Sequence, residues 1–340
     1  MSDESIASSD EDVSCVAACW SGFTTEMRNF RKLLWDPTTK TVFGRGGKSW
    51  GKILAFFTVY YFVLAAFFAG ALSIVLGILD PYVPRFQTRL QAPGLTIQPR
   101  LPSREALTSD IRFTVSDPDS YAQYTTQLKE FLKQYDTQND TQYFQPSCTN
   151  GKVQIYQGFA EGDIAKSCPF NTADLGPCSS GEFGYDEGKP CIYVKVNRII
   201  NWYPVGFTDL TAQQATYNEV SRAPSLTDVL KVTGRPYDPY RMYISCYGWS
   251  DKDKMHLNGE SSAVSTNTKY YPADNGIPFM YYPYYGKLRQ PKLVTPVVAV
   301  QFTNVTKGEK IKVTCKAYAR NIEDNERMSI GYYSFPLKID

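Results

Sequence analysis

The sequence is poor in the residues that most enzymes use for catalysis. Among its 340 residues it has a single histidine, His256. One histidine excludes metal sites built from several histidines, and it excludes His-paired nucleophiles elsewhere in the chain. The chain also has little net charge, because 36 basic and 34 acidic residues give a value of +2. We therefore expect no cofactor, no metal ion and no nucleic acid partner.

Two short motifs suggest nucleotide chemistry but do not meet its requirements. The stretch FGRGGKS, residues 43–49, would need a glycine six positions before Lys48 to form a Walker-type phosphate loop, and that position is Val42. We interpret this stretch as a flexible, basic turn. Asp251-Lys-Asp253 has the Asp-x-Asp form of a glycosyltransferase metal site, but no βα alternation surrounds it. We interpret it as a solvated charged turn, with a glycosyltransferase as the enzyme alternative.

Long apolar segments are absent except for one. Residues 53–79 include no charged residue, and 27 helical residues are enough to cross a hydrocarbon core about 30 Å thick. A buried core helix would be shorter and amphipathic. We therefore predict a transmembrane helix over 53–79, which acts as both signal and anchor.

The flanking charges predict the orientation of this span. Four basic residues precede it closely, whereas only two arginines follow it within fifteen residues, and basic residues favour the cytosolic side. Six of the eight cysteines and both glycosylation sequons, at Asn139 and Asn304, lie after the span, as an oxidising exterior requires. We predict a type II plasma-membrane protein with residues 1–52 in the cytosol, of which the acidic segment 1–26 is disordered.

The remainder of the chain predicts a stalk and a β-rich ectodomain. Prolines are frequent in residues 80–110, which we interpret as an extended extracellular stalk. Residues 111–340 form the ectodomain, with one amphipathic helix over 119–135. Its later segments alternate or concentrate β-forming residues, so we expect a mainly antiparallel sheet or sandwich with one packed helix. The predicted strands are 111–115, 191–199, 241–249, 294–303, 310–319 and 332–339.

The six ectodomain cysteines are an even number, which suits three disulfides. Six cysteines allow fifteen pairings, and the sequence alone cannot choose among them. Pairing of nearest neighbours would close two short loops and one long loop. The cysteines are Cys148, Cys168, Cys178, Cys191, Cys246 and Cys315.

The predicted span carries two kinds of helical stripe. One stripe has small residues that allow another helix to approach closely. Aromatic residues form two further stripes, in which Tyr60 and Tyr61 each carry a hydroxyl that is costly to bury in lipid without a partner. We predict that the span contacts another helix, the alternative being that its aromatic rings face lipid. The small residues are Ala66, Gly70, Ser73 and Gly77, and the aromatic stripes are Phe56, Tyr60 and Phe67, and Phe57, Tyr61 and Phe68.

Several motifs resemble those of a known family. They are YYPYYGKLRQPK at 281–292, KPCIYVKVNRII at 189–200, FTVSDPDSY at 113–121 and APGLTIQP at 92–99. Together with GRGGKSW before the span, they are similar to the β subunits of the Na⁺/K⁺-ATPase and of its H⁺/K⁺-ATPase relatives. The resemblance runs from about residue 30 to the C-terminus.

The resemblance implies a non-catalytic subunit with an immunoglobulin-like ectodomain. Its partner would be the catalytic α subunit of a P-type Na⁺/K⁺-ATPase, whose phosphorylated Asp lies in a DKTGT motif that this chain does not have. The family's sequential disulfides map onto Cys148 with Cys168, Cys178 with Cys191, and Cys246 with Cys315. The partner-binding residues expected from the stripes and the tyrosine-rich motif are Tyr60, Tyr61, Phe67, Gly70, Gly77, Tyr281, Tyr282, Tyr284, Tyr285 and Gly286.

Further expectations follow from the same resemblance. The chain would support folding, membrane delivery and stability of the partner and would modulate K⁺ transport. A small single-span regulatory subunit is a further candidate partner. The alternatives are an H⁺/K⁺-ATPase β subunit and a type II surface adhesion or receptor glycoprotein. The long acidic tail, with Cys15 and Cys19, departs from the family pattern.

Overall fold

The computed structural model describes residues 34–90, 92–102, 107–146, 148, 151–160, 162–208, 223–234, 236–259, 264–322 and 330–340. The acidic tail, Cys15 and Cys19 lie outside these residues. The chain divides into two compact units, Met1–Leu79 and Asp80–Asp340.

The first unit contains a single long helix, α1, over Gly47–Ile78. Among the described residues it is the one helix long and apolar enough to cross a membrane. It begins six residues before the predicted span and includes Gly47 and Gly51, although glycine has a low helix propensity. Its 32 residues include no buried side chain.

A short hairpin precedes α1. Asp36 pairs with Thr41, and Val42 pairs with Arg45, each in antiparallel bridges. The Trp50 indole nitrogen donates a hydrogen bond of 2.9 Å to the Val42 carbonyl, which ties the hairpin to the first turn of α1. The stretch 43–49 that the sequence predicts as a turn is therefore a turn only at its beginning, and its later residues are helical.

The second unit contains three described α-helices, two more than the sequence predicts. The 16-residue α2, Pro118–Lys133, confirms the predicted amphipathic helix, and Asp117 caps it by accepting the Asp119 N–H. The helices α3 and α4 are only eight residues long, too short for a clear period in the sequence. They are Leu226–Thr233 and Asp251–Asn258.

The helix α4 corrects the interpretation of Asp251 and Asp253 as a solvated turn. These residues form its first turn, where Ser250 and Asp253 make a reciprocal capping box. The Asp253 carboxylate also accepts the Lys312 N–H at 2.9 Å. Because its oxygens are used in these bonds, Asp253 is a structural cap.

Eleven strands are described, and nine of them form two sheets. A four-stranded sheet has the order β1-β5-β9-β7, and a five-stranded sheet has the order β4-β11-β10-β6-β8. The remaining two, β2 and β3, pair with each other. The strands β1 to β11 are Leu95–Gln98, Leu101–Pro102, Leu107–Thr108, Ile111–Phe113, Cys191–Val196, Arg241–Gly248, Thr268–Tyr271, Gly276–Pro278, Val297–Phe302, Ile311–Tyr318 and Tyr332–Ile339. Three short 3₁₀ segments are Gln87–Arg89, Thr172–Ser179 and Phe279–Tyr281.

Pairing is antiparallel except between β4 and β11, which run parallel. The predicted stalk, 80–110, includes β1, which pairs with β5 so that Leu95 lies opposite Val196. This part of the predicted stalk is a strand of the sheet because its side chains alternate in burial, with Leu95 and Ile97 both buried. The boundaries of the cytosolic, membrane, stalk and ectodomain segments otherwise stay predictions.

The inner faces of both sheets contribute to one hydrophobic core, which α2 extends. Tyr121 and Tyr124 of α2 pack with Phe113 and Tyr185, with ring centroids 5.7 to 6.2 Å apart. This two-sheet arrangement confirms the predicted immunoglobulin-like sandwich, which follows a single apolar helix in the chain. A smaller cluster, which includes Tyr243 and Tyr318, lies under α3.

Candidate interaction surface

The tyrosine-rich segment 281–286 is held against the loop 151–160. The Gln154 N–H donates to the Tyr282 carbonyl at 3.0 Å. The Tyr285 hydroxyl donates to the Gln154 carbonyl at 3.1 Å and accepts the Tyr156 N–H at 2.8 Å. These three bonds align two irregular stretches that no regular sheet joins.

A disulfide fixes this loop. Cys148 and Cys168 are joined across 20 residues of chain that include Gln154 and Tyr156. The Gln154 amide nitrogen lies 3.4 Å from the Cys168 sulfur. The disulfide therefore positions the loop on which the tyrosine-rich segment rests.

Burial differs among the four tyrosines of the segment. Tyr282 and Tyr285 are only 8% and 7% exposed, whereas Tyr281 and Tyr284 are half-buried. Tyr282 packs edge-on against Trp202, with ring centroids 5.7 Å apart. Burial raises the pKa of Tyr281 to about 12, with a smaller contribution from the Asp174 carboxylate. The Tyr281 phenol therefore stays neutral near pH 7, and its contribution is packing and hydrogen bonding.

Gly286 allows the chain to turn closely beside the residues that follow the span. Its φ is +93°, a region that residues with a side chain rarely adopt. A Cβ at this position would lie 3.3 Å from the Tyr82 carbonyl oxygen. A larger residue here would be strained and would displace the segment around Tyr82.

Beside Tyr285 lies an open groove of about 300 Å³. Its apolar walls include Val83, Ile155, Tyr156 and Pro283. Ile155 is 59% exposed at its edge, an unusual position for a large aliphatic side chain. An apolar groove with an exposed apolar edge is typical of an interaction surface.

The charged residue in the groove is Arg289. Its guanidinium carbon lies 4.7 Å from the centre of the Tyr82 ring and 4.2 Å from that of Phe159. Among the described residues it forms no salt bridge, and its buried Nε has no hydrogen-bond partner. A partly buried guanidinium whose Nε lacks a hydrogen-bond partner favours a ligand that brings a carboxylate or carbonyl oxygen.

The predicted partner-binding residues of the span all lie on α1. Tyr60 and Tyr61 are 50% and 60% exposed, and they stack on Phe56 and Phe57 with ring centroids 6.3 and 6.0 Å apart. Phe67 is 75% exposed. A Cβ added at Gly70 or Gly77 would meet no heavy atom within 4 Å apart from the adjacent residues and backbone of α1 itself. The small-residue stripe is thus open to another helix, and its partner-binding role stays a prediction.

The remaining site residues all lie in the second unit. The structure pairs Cys148 with Cys168, Cys178 with Cys191, and Cys246 with Cys315. The side chains of Asn139 and Asn304 are both exposed, as glycosylation requires.

Sequence reasoning did not identify Arg289, Tyr156 or Phe159 as site residues. Arg289 lies within the tyrosine-rich motif, so the motif could have indicated it as a binding residue. The loop residues are about 130 positions away in the chain, and only the fold brings them to Tyr285. No local pattern could have indicated that contact.

Comparison with known proteins assigns the family. Residues 21–333 match the family described as the sodium/potassium ATPase beta chain. A sodium/potassium-transporting ATPase subunit beta-1 from Tetronarce californica is 32% identical over 93% of this chain and 97% of its own length. A subunit beta-233 from Anguilla anguilla is 33% identical over 88% and 91%, and a subunit beta-2 from Homo sapiens is 31% identical over 92% and 95%. The chain belongs to the sodium/potassium ATPase β-chain family.

Proposed function

We propose that this chain is the accessory β subunit of a plasma-membrane Na⁺/K⁺ pump and binds its catalytic α subunit as a heterodimer. ATP hydrolysis would take place on the α subunit. The observation that carries the proposal is the groove beside Tyr285, because it combines an apolar wall with the unpaired Arg289. The chain that lines this groove at Val83 leaves α1 only five residues earlier.

Two surfaces would bind the partner. The groove would receive an extracellular loop that presents an apolar side chain and a carboxylate or carbonyl oxygen to Arg289. The α1 helix would dock through its open small-residue stripe or through the rings of Tyr60 and Tyr61. Two separate contacts on one chain strengthen binding beyond either contact alone, since the second becomes intramolecular.

Support of the partner follows from the same binding. A β chain that binds only the folded α subunit shifts the folding equilibrium of the α subunit toward the native state. It would thereby promote folding, stability and delivery of the pump to the cell surface. Because the ectodomain would lie over the extracellular entrance, it would also modulate K⁺ transport.

The proposed orientation is type II. The basic residues before α1 would lie in the cytosol, and the disulfide-bonded second unit would lie outside. A small single-span regulatory subunit would be a further partner on a separate face of the helix bundle.

Purification in a mild detergent tests the proposal. The full chain should co-isolate a much larger, multi-span ATPase, and ATPase activity that requires Na⁺ as well as K⁺ would distinguish the Na⁺/K⁺ pump from the H⁺/K⁺ alternative. Recovery of a solitary chain that nevertheless reaches the cell surface would favour the adhesion glycoprotein and refute the proposal.

A variant of α1 tests how much this helix contributes to binding of the ATPase. Tyr60→Ala combined with Tyr61→Ala should lower the yield of co-isolated ATPase, or shift its K⁺ dependence. Phe62→Ala is the matched control, because Phe62 is 75% exposed on the same helix but lies outside the predicted stripes. Equal yields from both variants would assign Tyr60 and Tyr61 to lipid contact.

A further inference from the structure

The hairpin before α1 has a defined fold. We use the name "basic hairpin" for residues 34–46. Its strands are joined by the bridges at Asp36–Thr41 and Val42–Arg45, and Trp50 holds it against α1. The hairpin is therefore positioned by α1 and moves with the start of that helix.

Three large apolar side chains of the basic hairpin are exposed. Trp35 is 53% exposed, Phe43 is 52% exposed and Leu34 is 38% exposed. Phe43 occupies a turn position with a φ of +50°, where glycine or asparagine is the usual residue. A phenylalanine is costly at such a position, so its ring is better explained by a contact outside the hairpin than by the turn itself.

The same surface is basic. Lys40 and Arg45 are exposed on the hairpin, and Lys48 and Lys52 are exposed four residues apart on α1. None of the four forms a salt bridge with a described residue. Asp36 is the one acidic residue of the basic hairpin, and its carboxylate accepts hydrogen bonds from Thr38 and Thr39, so it offsets only one of the four basic charges.

The length of α1 indicates where this surface lies. Thirty-two helical residues extend over about 48 Å, whereas the hydrocarbon core is about 30 Å thick. The apolar run begins at Ile53, so the first turns of α1 extend into the headgroup layer. The basic hairpin adjoins the N-terminal end of α1 and would therefore meet the same layer.

We propose that the basic hairpin binds anionic phospholipid headgroups, with Phe43 and Trp35 inserted at the membrane interface. Lys40, Arg45, Lys48 and Lys52 supply the charge, and the exposed rings supply apolar contact. The assignment to the inner leaflet rests on the orientation given under Proposed function. Anionic lipids are concentrated in that leaflet, where each nearby basic residue strengthens binding about fivefold.

Nanodiscs provide the test. The full chain is reconstituted in nanodiscs of phosphatidylcholine alone or with one fifth phosphatidylserine, and hydrogen exchange is measured for the backbone amides of 36–46. Lipid retained after gentle extraction is quantified in parallel. We expect phosphatidylserine to slow exchange in the hairpin and to be enriched in the retained lipid. Since both faces of a nanodisc carry the same lipid, the result depends neither on orientation nor on a partner subunit.

Variants identify the groups responsible. Lys40→Gln with Arg45→Gln should lower the enrichment of phosphatidylserine toward its one-fifth share of the nanodisc lipid, because two of the four basic charges are removed. Phe43→Ser should speed exchange in both lipids. The matched control is Lys252→Gln with Lys307→Gln, which removes the same charge from exposed positions of the second unit and should leave both readouts unchanged.

Two outcomes would overturn the proposal. One is equal exchange of residues 36–46 with and without phosphatidylserine, with no enrichment of that lipid. The other is slow exchange in phosphatidylcholine alone that is abolished by Asp10→Asn, Glu11→Gln and Asp12→Asn together. That result would make the acidic tail of this chain the occupant of the basic hairpin.

Discussion

Arg289 is a residue whose environment in the single chain is incomplete. The rings of Tyr82 and Phe159 stabilise its charge, but the described residues provide no carboxylate for it. Its Nε is therefore available for a hydrogen bond to a binding partner. Such partly desolvated arginines at the centre of an apolar surface are common hot spots in protein interfaces.

We expect Arg289→Gln to weaken assembly with the pump about tenfold or more, the usual effect of losing a hydrogen bond to a charged group. The measurement is the amount of ATPase co-isolated per unit of β chain as detergent concentration rises. Arg289→Lys should have an intermediate effect, because lysine keeps the charge but not the planar stacking. The control is Arg112→Gln at an exposed position of β4. Undiminished assembly in Arg289→Gln would remove Arg289 from the interface.

The buried tyrosines make stability dependent on alkaline pH. An unfolded tyrosine loses its proton near pH 10, whereas burial raises the pKa of Tyr281 to about 12. Between these values the unfolded chain binds fewer protons than the native chain, so the free energy of unfolding falls as pH rises. The contribution of Tyr281 is present below about pH 10 and is lost by about pH 12, a loss of order 2 to 3 kcal/mol.

Denaturant unfolding of the full chain at increasing pH measures this effect. Tyr281→Phe has no proton to lose, so its stability should fall less steeply above pH 10 than that of the wild type. Tyr240→Phe is the control, because Tyr240 is 45% exposed. A parallel decline in wild type and Tyr281→Phe would contradict the assignment.

At the scale of elements, the sequence predicts the structure where patterns are local. The predicted strand 332–339 coincides with β11, and the prediction 310–319 exceeds β10 by one residue at each end. In β11 buried side chains largely alternate with more exposed ones, which is the signal that hydrophobic periodicity detects. In β10 the sequence alternates apolar and polar residues, although every residue except Lys312 is buried. The disulfide-forming cysteines are likewise visible, but their pairing came from a resemblance and not from spacing.

The elements that the sequence does not predict depend on distant contacts. The strand β1 lies in a proline-rich stretch, and its partner strand, β5, is about 100 residues away along the chain. The groove depends on loop 151–160 meeting residues 281–289, neither of which is a regular element throughout. These features follow from the tertiary fold, which a short window of sequence does not contain.

The disulfide Cys148–Cys168 belongs to this groove. Replacing both cysteines with serine should release loop 151–160, remove one wall of the groove and lower the yield of assembled pump. A disulfide that closes a loop of 20 residues contributes about 3 kcal/mol, although the core sheets lie elsewhere. Circular dichroism should therefore show a folded ectodomain while co-isolation of the ATPase declines.

The disulfide Cys246–Cys315 provides the contrast, because it joins the adjacent core strands β6 and β10. Its removal should lower the stability of the whole ectodomain. Assembly that is unaffected by loss of Cys148–Cys168 would separate the groove from the function.

At the scale of the whole molecule, the two units have different chemical requirements. The unit Asp80–Asp340 contains all three disulfides and both exposed sequon asparagines. The unit Met1–Leu79 contains α1 and the basic hairpin. An oxidising compartment suits the second unit, and contact with anionic lipid suits the start of the first. Both requirements are met at once if α1 crosses the membrane with its beginning in the cytosol.

Glycosylation tests this orientation, because N-linked sugars are attached only on the lumenal side of the membrane. Asn139 and Asn304 are both exposed in the second unit, so both are accessible to the transferase. Removal of N-linked glycans should lower the apparent mass of the wild type by two steps, whereas Asn139→Gln and Asn304→Gln should each show one step. Asn267→Gln, which lies outside any sequon, is the control.

Protease protection gives a second test of the orientation. In sealed microsomes, added protease should shorten the chain only at residues 1–52. A chain without glycans, whose tail is protected while its second unit is digested, would have the opposite orientation. The groove and Arg289 would then face the cytosol, where they could not bind an extracellular loop of the pump.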